Sequence, residues 1–244
     1  MRAIEPHAQI VLIENAPGSA EDVATPAQAA AVRRSLGLDP AAPVVLYTGT
    51  FEAYQGLDVL FDAMAIVQRT KAGARLVLAG GKPDQVERAR AQARAAGIDA
   101  VTIFAGERPA SEIPAYLLAA DALVSPRSRG TNTPLKIYQY LRSGKPIVAT
   151  RLLTHTQVLS DETAILTAAT PQAFADGIVA ALSDVDRAAA IGRRARDLAE
   201  TKYSYEAYVE RTRQAYDALA GDPDQRRPVP VSSVAVEPHA HKKT

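Results

Sequence analysis

The chain has 244 residues, 47% of them hydrophobic and 23% charged, which suits one large domain or two small ones and excludes a peptide, a disulfide scaffold and wholesale disorder. Lys and Arg number 28 against 27 Asp and Glu, so the formal charge of +1 gives no general attraction for nucleic acid or anionic lipid, and any anion site must be local. The absence of cysteine excludes disulfides, thiol catalysis and thiolate metal sites. No apolar run is long enough for a membrane helix, and Met1 to Ala8 lack the layout of a secretion signal, so a cytoplasmic location is expected.

Short apolar runs alternate with Ala/Arg/Glu segments of helical spacing, the pattern of an α/β doubly wound parallel sheet. Strands are predicted at Gln9 to Ile13, Val44 to Thr48, Arg75 to Ala79, Val101 to Phe104, Ala122 to Val124, Pro146 to Ala149 and Thr163 to Leu166. Helices are predicted between them, near Pro26 to Leu36, Leu57 to Thr70, Pro83 to Ala96, Ser111 to Ala119, Pro134 to Ser143 and Pro171 to Leu182, several opening on proline. Two more, Val185 to Thr201 and Tyr205 to Ala220, are expected to pack outside through Ile191, Leu198, Tyr208 and Tyr216. Residues 221 to 244 carry four prolines and no period, so the expected organisation is a single domain over 1–220 and a disordered tail.

Ligands of open parallel sheets bind beyond the carboxyl ends of the strands, where loops lead into helix N-termini. In the first such loop, Gly49 and Gly56 suit either plain turns or a backbone approach to phosphate. The second, Gly80-Gly81-Lys82, reads as a tight turn with a solvated lysine that an anion can also meet. The third, Ser125 to Tyr140, is the richest. Thr133 is expected to cap the next helix and Pro134 to open it, while Lys136 and Gln139 lie three apart on one side of its positive end. Arg127, Arg129 and Lys136 can converge with the capping amides on one anion, which four donors in one loop favour over merely solvated arginines. His155 lies in the following loop, as an ordinary loop histidine or a contact for sugar or phosphate. No Walker pattern, Gly-x-Ser-x-Gly elbow or metal-ligand spacing of His, Asp and Glu occurs.

Taken together, these loops resemble the C-terminal, donor-binding half of GT-B glycosyltransferases of family 4, the glycosyl transferases group 1. Ala120 to Pro126 and Pro134 to Thr150 resemble that family's strand-Pro-Ser loop, its sugar-nucleotide helix and its Gly-Lys-Pro-Val strand entry. Thr48-Gly49-Thr50 to Gly56-Leu57 resembles its diphosphate loop, Ala79-Gly80-Gly81 its next strand end, and Ile10 to Pro17 the strand and Asn-bearing turn that open this half. The resemblance covers roughly Ala8 to Ala220 and implies a Rossmann-like fold.

It further implies transfer of a sugar from a nucleotide diphosphate sugar, with retention of configuration, to an acceptor held by a separate or missing N-terminal domain. The donor is then a substrate, and no cofactor, metal or nucleic acid is called for. Peripheral membrane attachment through that other half stays open. The donor-binding set carried over is Gly49, Thr50, Gln55, Gly56, Gly80, Gly81, Arg127, Arg129, Gly130, Thr131, Asn132, Thr133, Lys136 and Gln139, with no catalytic residue assigned. Four positions depart from the family pattern. Its paired glutamates align with Thr131 and Gln139, and the Arg and Lys that clamp the diphosphate align with Thr50 and Gln55. Arg127, Arg129 and Lys136 are the candidates to restore that charge. The alternative class is a noncatalytic nucleotide-sugar-binding or assembly module. A GT-B-like epimerase is a third reading, one that needs acid/base groups in the crevice, of which the chain offers few.

Overall fold

A computed structural model describes residues 13–14 and 23–220, without the side chains of 219 and 220. Most of the predicted strand at Gln9 to Ile13 and the predicted tail lie outside these residues. Six strands form one parallel sheet: β1 (Val44–Thr48), β2 (Arg75–Ala79), β3 (Thr102–Gly106), β4 (Ala122–Ser125), β5 (Ile147–Thr150) and β6 (Ile165–Thr167). Their order, β3-β2-β1-β4-β5-β6, reverses direction between β1 and β4, so the loops leaving those two strands flank a crevice at the carboxyl edge.

Alternate residues of each strand feed opposite cores, because successive side chains point to opposite faces. Leu46, Val77, Leu123 and Ile147 meet the layer of α1 (Pro26–Ser35), α4 (Ile113–Ala119), α5 (Lys136–Ser143) and α8 (Val185–Lys202). Val45, Leu76, Val124 and Val148 meet α2 (Leu57–Thr70), α3 (Pro83–Ala95) and α7 (Pro171–Ser183). Burial on both faces explains why the strands read as unbroken apolar runs.

The structure moves several expected boundaries. The third strand runs two residues further, to Gly106, after a 3-10 turn takes Asp99–Val101. Ser111 belongs to another such turn, and β6 begins at Ile165. The loop expected around His155 holds a short helix, α6 (Leu153–Thr156). The last helix, α9 (Tyr205–Ala220), has the expected bounds, but Tyr208 and Tyr216 are exposed on it. Ile191 and Leu198 of α8 do pack against the core.

Proline leads α1, α3 and α7, but Pro134 does not lead α5. That helix begins at Lys136 with Leu135 at its N-cap, and no side chain caps it. The Pro134 carbonyl instead accepts from the Ile137 amide at 3.0 Å. Thr133, expected as the cap, hydrogen-bonds the Tyr138 side chain.

Candidate functional site

The crevice at the switch point is built by backbone approaching backbone. Gly56 has φ 73°, and a Cβ there would lie 2.1 Å from the Pro126 carbonyl oxygen, so the loops after β1 and β4 touch where only glycine fits. The Ser128 amide fastens the same pair by donating to the Tyr54 carbonyl at 3.1 Å. Gly80, with φ 121°, plays the matching part after β2, where an added Cβ would fall 2.2 Å from the Gly49 carbonyl oxygen. The space at Gly56 and Gly80 is therefore taken by neighbouring backbone, while Gly81 faces the Phe51 ring. Gly49 is open on its own side, with only the Tyr47 hydroxyl and the Lys136 ammonium near a Cβ built there.

Lys136 is the cation closest to this floor. Its Nζ donates to the Thr48 carbonyl at 3.1 Å and lies 3.8 Å from the centroid of the Tyr47 ring. Burial, reinforced by the positive Arg127, holds its pKa well below the usual ammonium range. Tyr47 is itself fixed by donating to the Thr50 carbonyl at 2.6 Å, and burial raises its phenol well above the ordinary value. Tyr140, one turn after Lys136, accepts from the Thr48 amide at 2.9 Å, and its phenol is pushed up to about 12 by burial. Both rings thus stay neutral beneath the loop.

Arg127 is not a free anion donor. It is 5% exposed, and its Nη1 donates to the Asn132 carbonyl at 2.7 Å and the Thr154 hydroxyl at 2.8 Å. Its guanidinium sits 4.9 Å from the centre of the Tyr54 ring, and its buried Nε lacks a partner. Arg127 thus pins the 126–135 loop to α6, with Gly130 packed against it. Arg129 and Thr131 are exposed on that loop, as is Asn132, whose carbonyl is already engaged. The Thr131 carbonyl accepts from Gln157 Nε2 at 2.7 Å.

Gln139 shares the first turn of α5 with Lys136, yet their polar ends are not brought together. Lys136 turns toward β1, whereas Gln139 is exposed and lines a cavity of about 240 Å³ with Ile113, Leu117 and Arg142. Gln55, in the 3-10 turn before α2, is buried with its Oε1 unpartnered. Thr50 and Lys82 are exposed.

His155 is buried in the core beneath the crevice. Its Nδ1 lies 2.7 Å from the Thr150 carbonyl, which can only accept, so Nδ1 carries the proton and Nε2 accepts from the Ser125 hydroxyl at 2.9 Å. Burial lowers its pKa to about 4. Both ring nitrogens are committed, so it contacts no ligand in this state. Sequence spacing missed the polar floor made by Tyr47, Thr48, Tyr140, Ser125 and Thr150; polar residues closing two apolar strands, Thr48 and Ser125, were the available signal. Among the described residues, no group of three or more His, Cys, Asp or Glu is placed to hold a metal.

The family described as Glycosyl transferases group 1 matches residues 42–184, the segment that supplies every strand of the sheet and both crevice loops. The chain belongs to this family. Among its relatives, a D-inositol 3-phosphate glycosyltransferase of Segniliparus rotundus is 30% identical over 208 residues, 83% of this chain and 46% of that protein. Solved structures share the fold. Anabaena HepE, solved in complex with UDP and glucose, superposes with a TM-score of 0.71 at 21% identity, over 82% of this chain and 53% of that one. The C-terminal domain of the group 1 family protein LpcC from Francisella tularensis superposes at 0.60 with 20% identity, over 71% of this chain and 93% of that one. The chain spans about half the length of the relatives it matches.

Proposed function

We propose that this chain is the donor-binding half of a retaining glycosyltransferase, which moves a sugar from a nucleotide diphosphate sugar to an acceptor held by a second domain. The observation that carries this reading is the meeting of the 49–56 and 126–135 loops at the switch point, with Lys136 beneath Gly49 at the head of α5. Negative charge develops on the departing diphosphate, so fixed donors placed there lower the barrier. Lys136, the amide of Thr50 and those of 130–133 supply donors to the phosphates, with exposed Arg129 at the rim; the Gly49 amide is already given to the Ala79 carbonyl at 2.9 Å. Gln139 and Thr131 offer neutral hydrogen bonds to ribose and sugar hydroxyls. The UDP in the HepE structure makes uridine the first base to test.

The neutral residues at Thr50, Gln55, Thr131 and Gln139 favour a second reading, a binding module without chemistry. Calorimetry with UDP, GDP and ADP tests the site common to both: one nucleotide should bind, and no binding at millimolar concentration overturns the donor site. Transfer assays then separate the two readings. The chain mixed with a co-expressed acceptor domain should turn over a labelled nucleotide sugar, and a pair that binds donor without turnover is a binding module.

A further inference from the structure

The 126–135 loop is tied to the segment after β5 through its carbonyl groups. Gln157, the residue that follows α6, donates from Nε2 to the Thr131 carbonyl at 2.7 Å. The Asn132 carbonyl accepts twice, from the Thr154 hydroxyl at 2.6 Å and from Arg127 Nη1 at 2.7 Å. These donors are themselves fixed. Thr154 is fully buried and accepts a hydrogen bond from Arg127 at 2.8 Å, while Gln157 leads directly into Val158 and Leu159, which are anchored in the core. Thr133 in turn hydrogen-bonds the Tyr138 side chain of α5.

The same contacts decide where two amides point. In a trans peptide unit the C=O and the N–H share one plane and face opposite ways, and every peptide bond among the described residues is trans. The Thr131 carbonyl shares its unit with the Asn132 amide, and the Asn132 carbonyl shares its unit with the Thr133 amide. Both carbonyls are drawn toward α6, so both amides face away from it. In the sheet, β4 lies between β5, which leads into α6, and β1, which leads into the Gly49 loop. Away from α6 is therefore toward the crevice. Among the described residues neither amide donates to any acceptor. Two successive free amides on one side of a loop are a fitting cradle for an oxyanion.

We infer that Gln157 and Thr154 are positioning residues of the crevice: by holding the Thr131 and Asn132 carbonyls they aim the Asn132 and Thr133 amides at a phosphate oxygen of the donor. This rests on the donor-site reading above and adds to it the side chains that set its geometry. Neither side chain touches the phosphate. Gln157 is the sharper case, because the Thr131 carbonyl has no other donor among the described residues. Without Gln157 that peptide unit is free to rotate, and its amide turns aside. The Asn132 carbonyl keeps Arg127 when Thr154 loses its hydroxyl, but Arg127 then loses one of its two partners.

The test follows the two amides directly, by NMR of the isotope-labelled 244-residue chain titrated with inorganic pyrophosphate. The Asn132 and Thr133 amide resonances should shift saturably. Gln157→Met removes the donor from an exposed side chain without changing charge, and should weaken pyrophosphate about tenfold while the melting temperature stays that of the parent. Thr154→Val keeps the shape and removes the hydroxyl, so it should weaken pyrophosphate as well, whereas Thr154→Ser should restore binding to within about threefold of the parent. A purely structural role would lower the melting temperature and leave the affinity of the folded chain unchanged. Amides unmoved by millimolar pyrophosphate, a Gln157→Met chain that binds it like the parent, or equal losses for serine and valine at position 154 would each overturn the inference. Calorimetry with UDP separates this from the donor reading. If UDP binds and the two amides stay still, the positioning role falls and the donor site stands; if the amides answer pyrophosphate in a chain that binds no nucleotide, the positioned anion site stands and the donor reading falls.

Discussion

Lys136 points its ammonium at the face of the Tyr47 ring, 3.8 Å from the centroid, and donates to the Thr48 carbonyl at 3.1 Å. Burial and the nearby Arg127 depress its pKa, so an arriving diphosphate finds a cation that gains by being charged. Two consequences are measurable. Nucleoside diphosphate affinity should fall as pH rises through the depressed Lys136 pKa, and in that range binding should take up a proton, seen as a calorimetric enthalpy that varies with the ionisation enthalpy of the buffer. Lys136→Met should abolish that uptake and weaken the diphosphate by about 1.5–3 kcal/mol while leaving the bare nucleoside unaffected. Equal losses for both ligands would remove Lys136 from the phosphate site.

Arg127 and Arg129 are two residues apart and separate cleanly by burial. Arg127→Met removes charged hydrogen bonds to the Asn132 carbonyl and the Thr154 hydroxyl and should cost about 1.5–3 kcal/mol in urea unfolding. Arg129→Ala removes an exposed side chain and should stay within about 0.5 kcal/mol. Similar unfolding midpoints for the two variants would contradict the pinning role of Arg127.

The difference between these arginines marks how far the sequence could be read. The parallel sheet was legible because Val44 to Thr48 and Arg75 to Ala79 are apolar runs bounded by turn residues, and burial on both faces imposes that pattern. The crevice loops were legible from Gly49, Gly56 and Gly130, each at positive φ in the structure. Side-chain direction was not. Helical spacing puts Lys136 and Gln139 about 60° apart on α5, but the Tyr47 ring and the Thr48 carbonyl of a distant strand draw Lys136 inward, and local sequence holds no record of that pairing. Likewise, Arg127 and His155 looked like loop residues because the hydrogen bonds that bury them come from Asn132, Thr154, Ser125 and Thr150.

His155 gives a pH signature of the fold itself. Its folded pKa of about 4 lies below the ordinary 6.5, so between those values the unfolded chain binds more protons and stability rises with pH. Its contribution is complete above pH 6.5, is lost as pH falls, and levels off below about 4. The loss is on the order of 3 kcal/mol. Thermal melts between pH 4 and 7 should show this slope in the parent and a flatter one in His155→Gln. An unchanged slope in the variant assigns the pH dependence to other groups.

Gly56 tests whether the two crevice loops depend on each other. An alanine there meets the Pro126 carbonyl oxygen at 2.1 Å and must hold φ near 73°. The left-handed backbone costs an L residue about 1–2 kcal/mol, and overpacking adds about 1–3 kcal/mol, so the β4 loop has to move. Gly37 separates these terms: its φ is 64°, but nothing lies within 4 Å of an added Cβ, so Gly37→Ala carries the backbone cost alone. Gly56→Ala should therefore be the less stable of the two by about 1–3 kcal/mol in denaturant unfolding. It should also lose nucleotide binding that Gly37→Ala retains, because displacing Pro126 displaces Gly130 and the entry to α5. If both variants unfold alike and bind alike, the loops do not meet at Gly56, and the crevice cannot be one preorganised site.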